Sequence, residues 1–178
     1  MPLLIPFEEI THLFGEFKHT AFRLETRRGY ASDRQGARFQ AFLRGILPEP
    51  EPDHPWNVNV REKTEQGARF CRVRVIDEPP TDGQRFLMAT AAGNVAAGED
   101  IRVLARSKAA SLNLPDNDLW LFDSRTLVRM DIDDTDTTIG VELVDDQADV
   151  LAACRARDAA WRAAVPTAEV WAQVRSSL

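Results

Sequence analysis

The residues able to do chemistry are unevenly distributed along this chain. Eight acids and no base lie between Asp131 and Asp149. Asp131, Asp133 and Glu142 match positions 1, 3 and 12 of a calcium loop, where carboxylate oxygens would surround the cation. Asp136 stands where that loop needs glycine, and the flanking segments read as strands rather than helices. These acids are therefore expected in solvated hairpin turns. No other stretch reads as a metal site. C-x-x-C does not occur, and His12, His19 and His54 lack the spacing of a four-ligand zinc site.

The arginines offer a different chemistry. Arg72 and Arg74 alternate with Cys71, Val73 and Val75, while Arg102 and Arg106 flank Val103 and Ala105. Were those two segments paired strands, all four guanidiniums could project from one sheet face and hold a phosphate or an acidic partner. Arg72, Arg74, Arg102 and Arg106 are the candidate anion- or partner-binding residues. The competing expectation is that each pairs with a neighbouring acid or lies in solvent. No catalytic residue is assigned: there is no G-x-S-x-G, and every histidine precedes residue 55. Cys71 and Cys154 lack a histidine nearby in sequence and read as two buried free thiols. The stretch Gly93 to Gly98 lacks the strand-then-glycine order of a nucleotide loop. It is a helix end, and no cofactor is implied.

The elements that must position these residues follow from periodicity. Leu119 to Phe122 is apolar at every position, so both faces of that strand are expected to be buried. Asp123-Ser124-Arg125 supplies a turn, and Leu127 to Ile132 alternates as a half-solvated outer strand. Phe7, Ile10, Leu13, Phe14 and Phe17 have helical spacing. Thr20 to Arg27 alternates as a one-sided strand, and Arg34 to Leu47 reads as a short helix. Four prolines between Pro48 and Pro55 exclude helix and sheet there. That loop is expected on the surface with Trp56 anchoring its far end, followed by a helix over 58–66 closed by Gly67. A helix from Asp82 to Ala97, capped by Thr81 or Asp82 and stopped by Gly98, joins the strands around Cys71–Val75 and Ile101–Ala105. That βαβ unit predicts parallel strands. Thr138 to Val144 is a further strand. A helix over 147–165 with Val150, Leu151, Cys154, Trp161 and Val165 inside, and a last one over 168–177, complete the chain.

Composition excludes several classes. The 178 residues suit one α/β domain, a mixed sheet flanked by helices, with residues 1–55 as an N-terminal helix–strand–helix segment ending in the proline loop. No stretch approaches the roughly 20 apolar residues of a membrane span, and the N-terminus lacks a signal peptide's basic region. A cytoplasmic protein is expected, with no membrane contact. Residues 1–74 carry 12 Lys and Arg against 10 Asp and Glu, and residues 75–178 carry 10 against 18. An acidic C-terminal half disfavours direct nucleic-acid binding.

At Thr20-Ala21-Phe22-Arg23-Leu24-Glu25, Arg72-Val73-Arg74-Val75, Ala91 to Arg102, Leu119-Trp120-Leu121-Phe122-Asp123 and Asp158-Ala159-Ala160-Trp161, the chain resembles an actinobacterial family, domain of unknown function 6879. The resemblance implies no activity. It implies a partner, because members tend to be encoded near helix-turn-helix regulators. From Arg72 onward the order strand, helix, three strands, helix is similar to a phospholipase-D-like half-domain. That group's catalytic H-x-K motif has no counterpart here, since no histidine follows His54. The resemblance then implies a catalytically dead copy. Together these readings give a non-catalytic regulatory or interaction protein partnering a helix-turn-helix regulator. The alternative is a small-ligand-binding protein, or an enzyme acting on a phosphorylated metabolite, through the arginine face.

Overall fold

Three strands rich in β-branched and aromatic residues set the frame, and all three are charged along one edge of their pattern. Thr20–Glu25 (β2) pairs in parallel with Arg69–Ile76 (β3), which pairs in parallel with Asp100–Ala105 (β4). The computed structural model describes residues 3–176. Leu119–Phe122 (β5) adds antiparallel to β2, followed by Thr126–Ile132 (β6) and Thr138–Val144 (β7). Two-residue strands close the edges: Leu4–Ile5 (β1) on β7 and Val165–Pro166 (β8) on β4. The result is one eight-stranded mixed sheet in the order β1-β7-β6-β5-β2-β3-β4-β8. The α/β architecture is the expected one. The hairpin's second strand is not an outer strand, because β7 and β1 lie beyond it.

Helices cover both faces. A 3-10 turn at Phe7–Ile10 and the short helix Leu13–Glu16 (α1) stand where one longer helix was expected. Ala37–Leu43 (α3) lies within the next expected helix, Arg34 to Leu47, and is preceded by a short helix that was not expected, Ala31–Arg34 (α2); Pro55–Glu65 (α4) follows the proline loop. Pro55 opens α4, where its missing N–H costs nothing, and the His54 ring accepts the Trp56 N–H as a cap. Asp82–Ala97 (α5) has a capping box formed by Thr81 and Gln84 and ends at Gly98, whose φ of 118° suits glycine. Arg106–Ser111 (α6), Gln147–Ala163 (α7) and Thr167–Ser176 (α8) complete the chain.

Register decides what each face carries. Phe22, Leu24, Cys71, Val73, Val75, Leu104, Leu119 and Leu121 form one core with Ala153 and Ala160 of α7. On the other face, Ala21, Phe70, Trp120 and Phe122 pack against Phe14, Phe17 and Val60. Strand β2 is buried on both faces, not one, since Arg23 and Glu25 are as enclosed as Phe22 and Leu24. In α7 Val150, Cys154 and Trp161 pack against this core as expected, beside the buried Ala153 and Ala160, while Leu151 is exposed and Val165 lies in β8. Small alanines let the helix approach the sheet closely.

Candidate functional site

Parallel pairing of β2 with β3 sets Arg23 beside Arg72 and Glu25 beside Arg74, all on the α4–α5 face. A buried charge without a partner costs several kcal/mol, so these groups must satisfy one another. They do. Glu25 accepts from Arg72 Nη1 at 2.5 Å and from Arg74 Nε at 2.6 Å. Arg72 Nε donates to Glu99 at 2.6 Å, and Glu99 also accepts from the Trp56 indole at 3.0 Å. Arg23 donates to Asp118 at 2.8 Å and lies over the Trp120 ring, 5.4 Å from its centroid. Asp118 further accepts from Thr26 N and from the Tyr30 hydroxyl at 2.6 Å. Three guanidiniums thus face three carboxylates, and each of the six residues is at most 9% exposed.

This arrangement fixes protonation states. Burial pushes the Glu25 carboxyl up, but the charges of Arg72, Arg74 and Arg23 outweigh it and hold the group well below the usual carboxylate range. Burial likewise opposes the charge on Arg72, yet Glu99 and Glu25 hold it above the ordinary arginine value. Burial raises Tyr30 well above a free phenol, with Glu25 and Asp118 adding to the effect.

A cavity of about 580 Å³ opens over Arg72 and Arg74, walled by Asp33, Arg38, His54 and Asn57. The Nη2 atoms of Arg72 and Arg74 have no hydrogen-bond partner among the described residues. Asn57 donates from Nδ2 to Glu51 O at 2.8 Å, while its buried Oδ1 accepts no hydrogen bond. Burial, helped by Glu25, raises the Asp33 carboxyl above its ordinary value. Guanidinium donors that lack protein partners therefore line this cavity.

The four arginines singled out from sequence do not share a face. Arg102 is in register with Val73, so it lies on the α7 side, 3.8 Å from the Trp161 ring centroid and paired with Asp100. Arg106 opens α6, where it pairs with Asp77 and donates to Thr26 O at 2.8 Å. Arg72 and Arg74 alone among the four line the cavity, and all four are ion-paired. The acid-rich stretch resolves into local structure: Asp133 accepts from Thr135 N and Thr137 N, and Asp136 pairs with Arg27 and Arg34. Among the described residues no group of His, Cys, Asp and Glu could hold a metal ion.

A family model described as Domain of unknown function (DUF6879) matches residues 8–172. The chain belongs to that family. No curated protein matches it. Among solved structures, this DUF6879 member is similar to a phospholipase D family member, Nuc, from Salmonella typhimurium. The two are 11% identical, with 89% of this chain and 88% of the other covered and a TM-score of 0.52. At that identity the likeness is one of fold. No described helix is long and apolar enough to cross a membrane.

Arg23 and Glu25 were missed from sequence because alternation with Phe22 and Leu24 reads as a solvated edge, and Glu99 and Asp118 because each directly precedes a strand, where an acid reads as a solvated turn residue. One signal was available: Arg23-Leu24-Glu25 and Arg72-Val73-Arg74 carry charges at the same spacing, and in parallel register Glu25 meets Arg74 and reaches Arg72.

Proposed function

We propose that this DUF6879 member is a non-catalytic regulatory protein of the cytoplasm, which takes a small polar ligand in the cavity over Arg72 and Arg74 and acts through a protein partner. One observation carries the reading. The buried ion-pair network beneath the cavity is balanced three against three, and within it Glu25 and Arg72 are pushed away from neutral pKa values. A general acid or base works best with a pKa near the operating pH. Glu25 and Arg72 are held far from that range in opposite directions, so they suit rigid recognition.

The same balance bears on the ligand. With Glu25 and Glu99 neutralising Arg72 and Arg74, the floor offers hydrogen-bonding capacity rather than net positive charge. A neutral ligand with both donors and acceptors fits better than a phosphorylated metabolite, which remains the less supported alternative. For the partner we propose a helix-turn-helix regulator, the reading that the family resemblance supports.

The test joins native mass spectrometry with affinity capture. Purified protein is expected to carry a small molecule that Asn57→Leu releases, and tagged protein is expected to retain a DNA-binding regulator at stoichiometric yield. Substrate turnover by the purified protein, abolished by Asp33→Asn or Arg74→Met, would overturn the non-catalytic reading.

A further inference from the structure

Two arginines without carboxylate partners, Arg69 and Arg162, lie on the opposite face, in a cleft of about 560 Å³ between the N-terminal ends of β2 and β3 and the C-terminal half of α7. Arg69 rises from the start of β3, and its Nη2 sits 3.8 Å from Cys71 Sγ. Arg157 donates to Ser124 Oγ at 2.5 Å and pairs with Asp158 at 2.9 Å. Arg162 donates from Nε to Asp158 O at 3.1 Å. Neither Arg69 nor Arg162 has a carboxylate within ion-pair distance among the described residues. The floor is apolar, formed by Phe22, Cys71 and Trp161, and Arg102 backs the Trp161 ring from 3.8 Å.

Charge separates this cleft from the cavity on the other face. Three guanidiniums (Arg69, Arg157 and Arg162) line the cleft with one carboxylate, Asp158, which leaves two positive charges unmatched. Nearby Asp123 is turned away, accepting from Lys18 N, His19 N and Thr20 N. Guanidinium forks bind oxyanions through paired N–H donors, and an apolar floor welcomes a hydrophobic body.

We propose that this cleft binds an organic phosphate monoester, its dianionic head held by Arg69, Arg157 and Arg162 and its apolar or aromatic body laid on Phe22 and Trp161. Two unmatched positive charges fit a dianion better than a carboxylate. The site stands apart from the cavity over Arg72 and Arg74, so neither reading depends on the other.

The experiment is isothermal titration of the full-length protein with phenyl phosphate, benzoate and inorganic phosphate in turn. Phenyl phosphate is expected to bind with a dissociation constant of about 1 mM or tighter. Arg69→Ala and Arg162→Ala should each weaken it about tenfold, because each removes charge-assisted bonds. Both residues are exposed, so the variants are expected to melt like the wild type, and Arg44→Ala serves as the distant control. Weakening with rising salt supports the electrostatic head site. Equal affinity for inorganic phosphate would overturn the apolar subsite, and equal affinity for benzoate the dianion assignment. Affinity unchanged in both arginine variants, or no saturable heat with phenyl phosphate, would overturn the proposal as a whole.

Discussion

Replacing Glu25 with glutamine tests the buried network most directly. The change keeps the side chain's shape but removes the one carboxylate shared by Arg72 and Arg74. It leaves a guanidinium–amide contact where bonds of 2.5 and 2.6 Å to an anion had been. Breaking a buried ion pair from one side costs about 3–5 kcal/mol. The low end applies here, about 3 kcal/mol, because Glu99 still holds Arg72, Leu87 O still holds Arg74, and the glutamine oxygen keeps one acceptor. With a urea slope of about 2 kcal/mol/M, the unfolding midpoint should fall by about 1.5 M. The pH dependence follows from the sign of the shift. Glu25 is depressed in the folded state, so its contribution is present above the unfolded value of about 4.3 and is lost as pH falls toward the folded value. Wild type and Glu25→Gln should therefore converge in stability as the pH drops below about 4. A midpoint shift under about 0.5 M at pH 7, or a gap that widens in acid, would refute the balanced-network account.

Three further outcomes are expected. Tyr30 is the only tyrosine, so ultraviolet titration reads it alone; no phenolate absorbance should develop at pH about 10, and its appearance should coincide with alkaline unfolding. The sign is that of a raised group: Tyr30 stabilises below the ordinary phenol value and that contribution is lost as pH rises beyond it. Thr81→Ala removes the capping box of α5 and the bond from Thr81 to Arg28 O, and should lower stability by about 1 kcal/mol, with Thr81→Ser restoring most of it in urea melts. Gly83→Ala would gain helix propensity, but its Cβ would meet Arg28 O at 2.5 Å and Gly29 Cα at 2.8 Å. The backbone clash should win by about 1–3 kcal/mol, read as a lower thermal midpoint; an unchanged or raised midpoint would show that the Arg28–Gly29 turn moves freely.

Local chemistry settled much of this fold. The α5 boundaries could be read from Thr81 or Asp82 and Gly98, because capping and a left-handed glycine are interactions within a few residues. The parallel pairing of β3 and β4 followed from a helix too long for a hairpin between them. The apolar run from Leu119 to Phe122 marked a central strand since no polar side chain offered a face to water. Tertiary structure decided what alternation cannot. A charged residue every second position looks the same whether its face meets water or three opposite charges. Only the pairing of β2 with β3 distinguishes them, by setting Glu25 beside Arg72 and Arg74 and setting Arg102 on the far side behind Val73. Which arginines of the buried network are neutralised depends on residues distant in the chain, Glu99 for Arg72 and Asp118 for Arg23. Partners that far apart in sequence leave no local pattern, so the location of free positive charge is a property of the folded sheet.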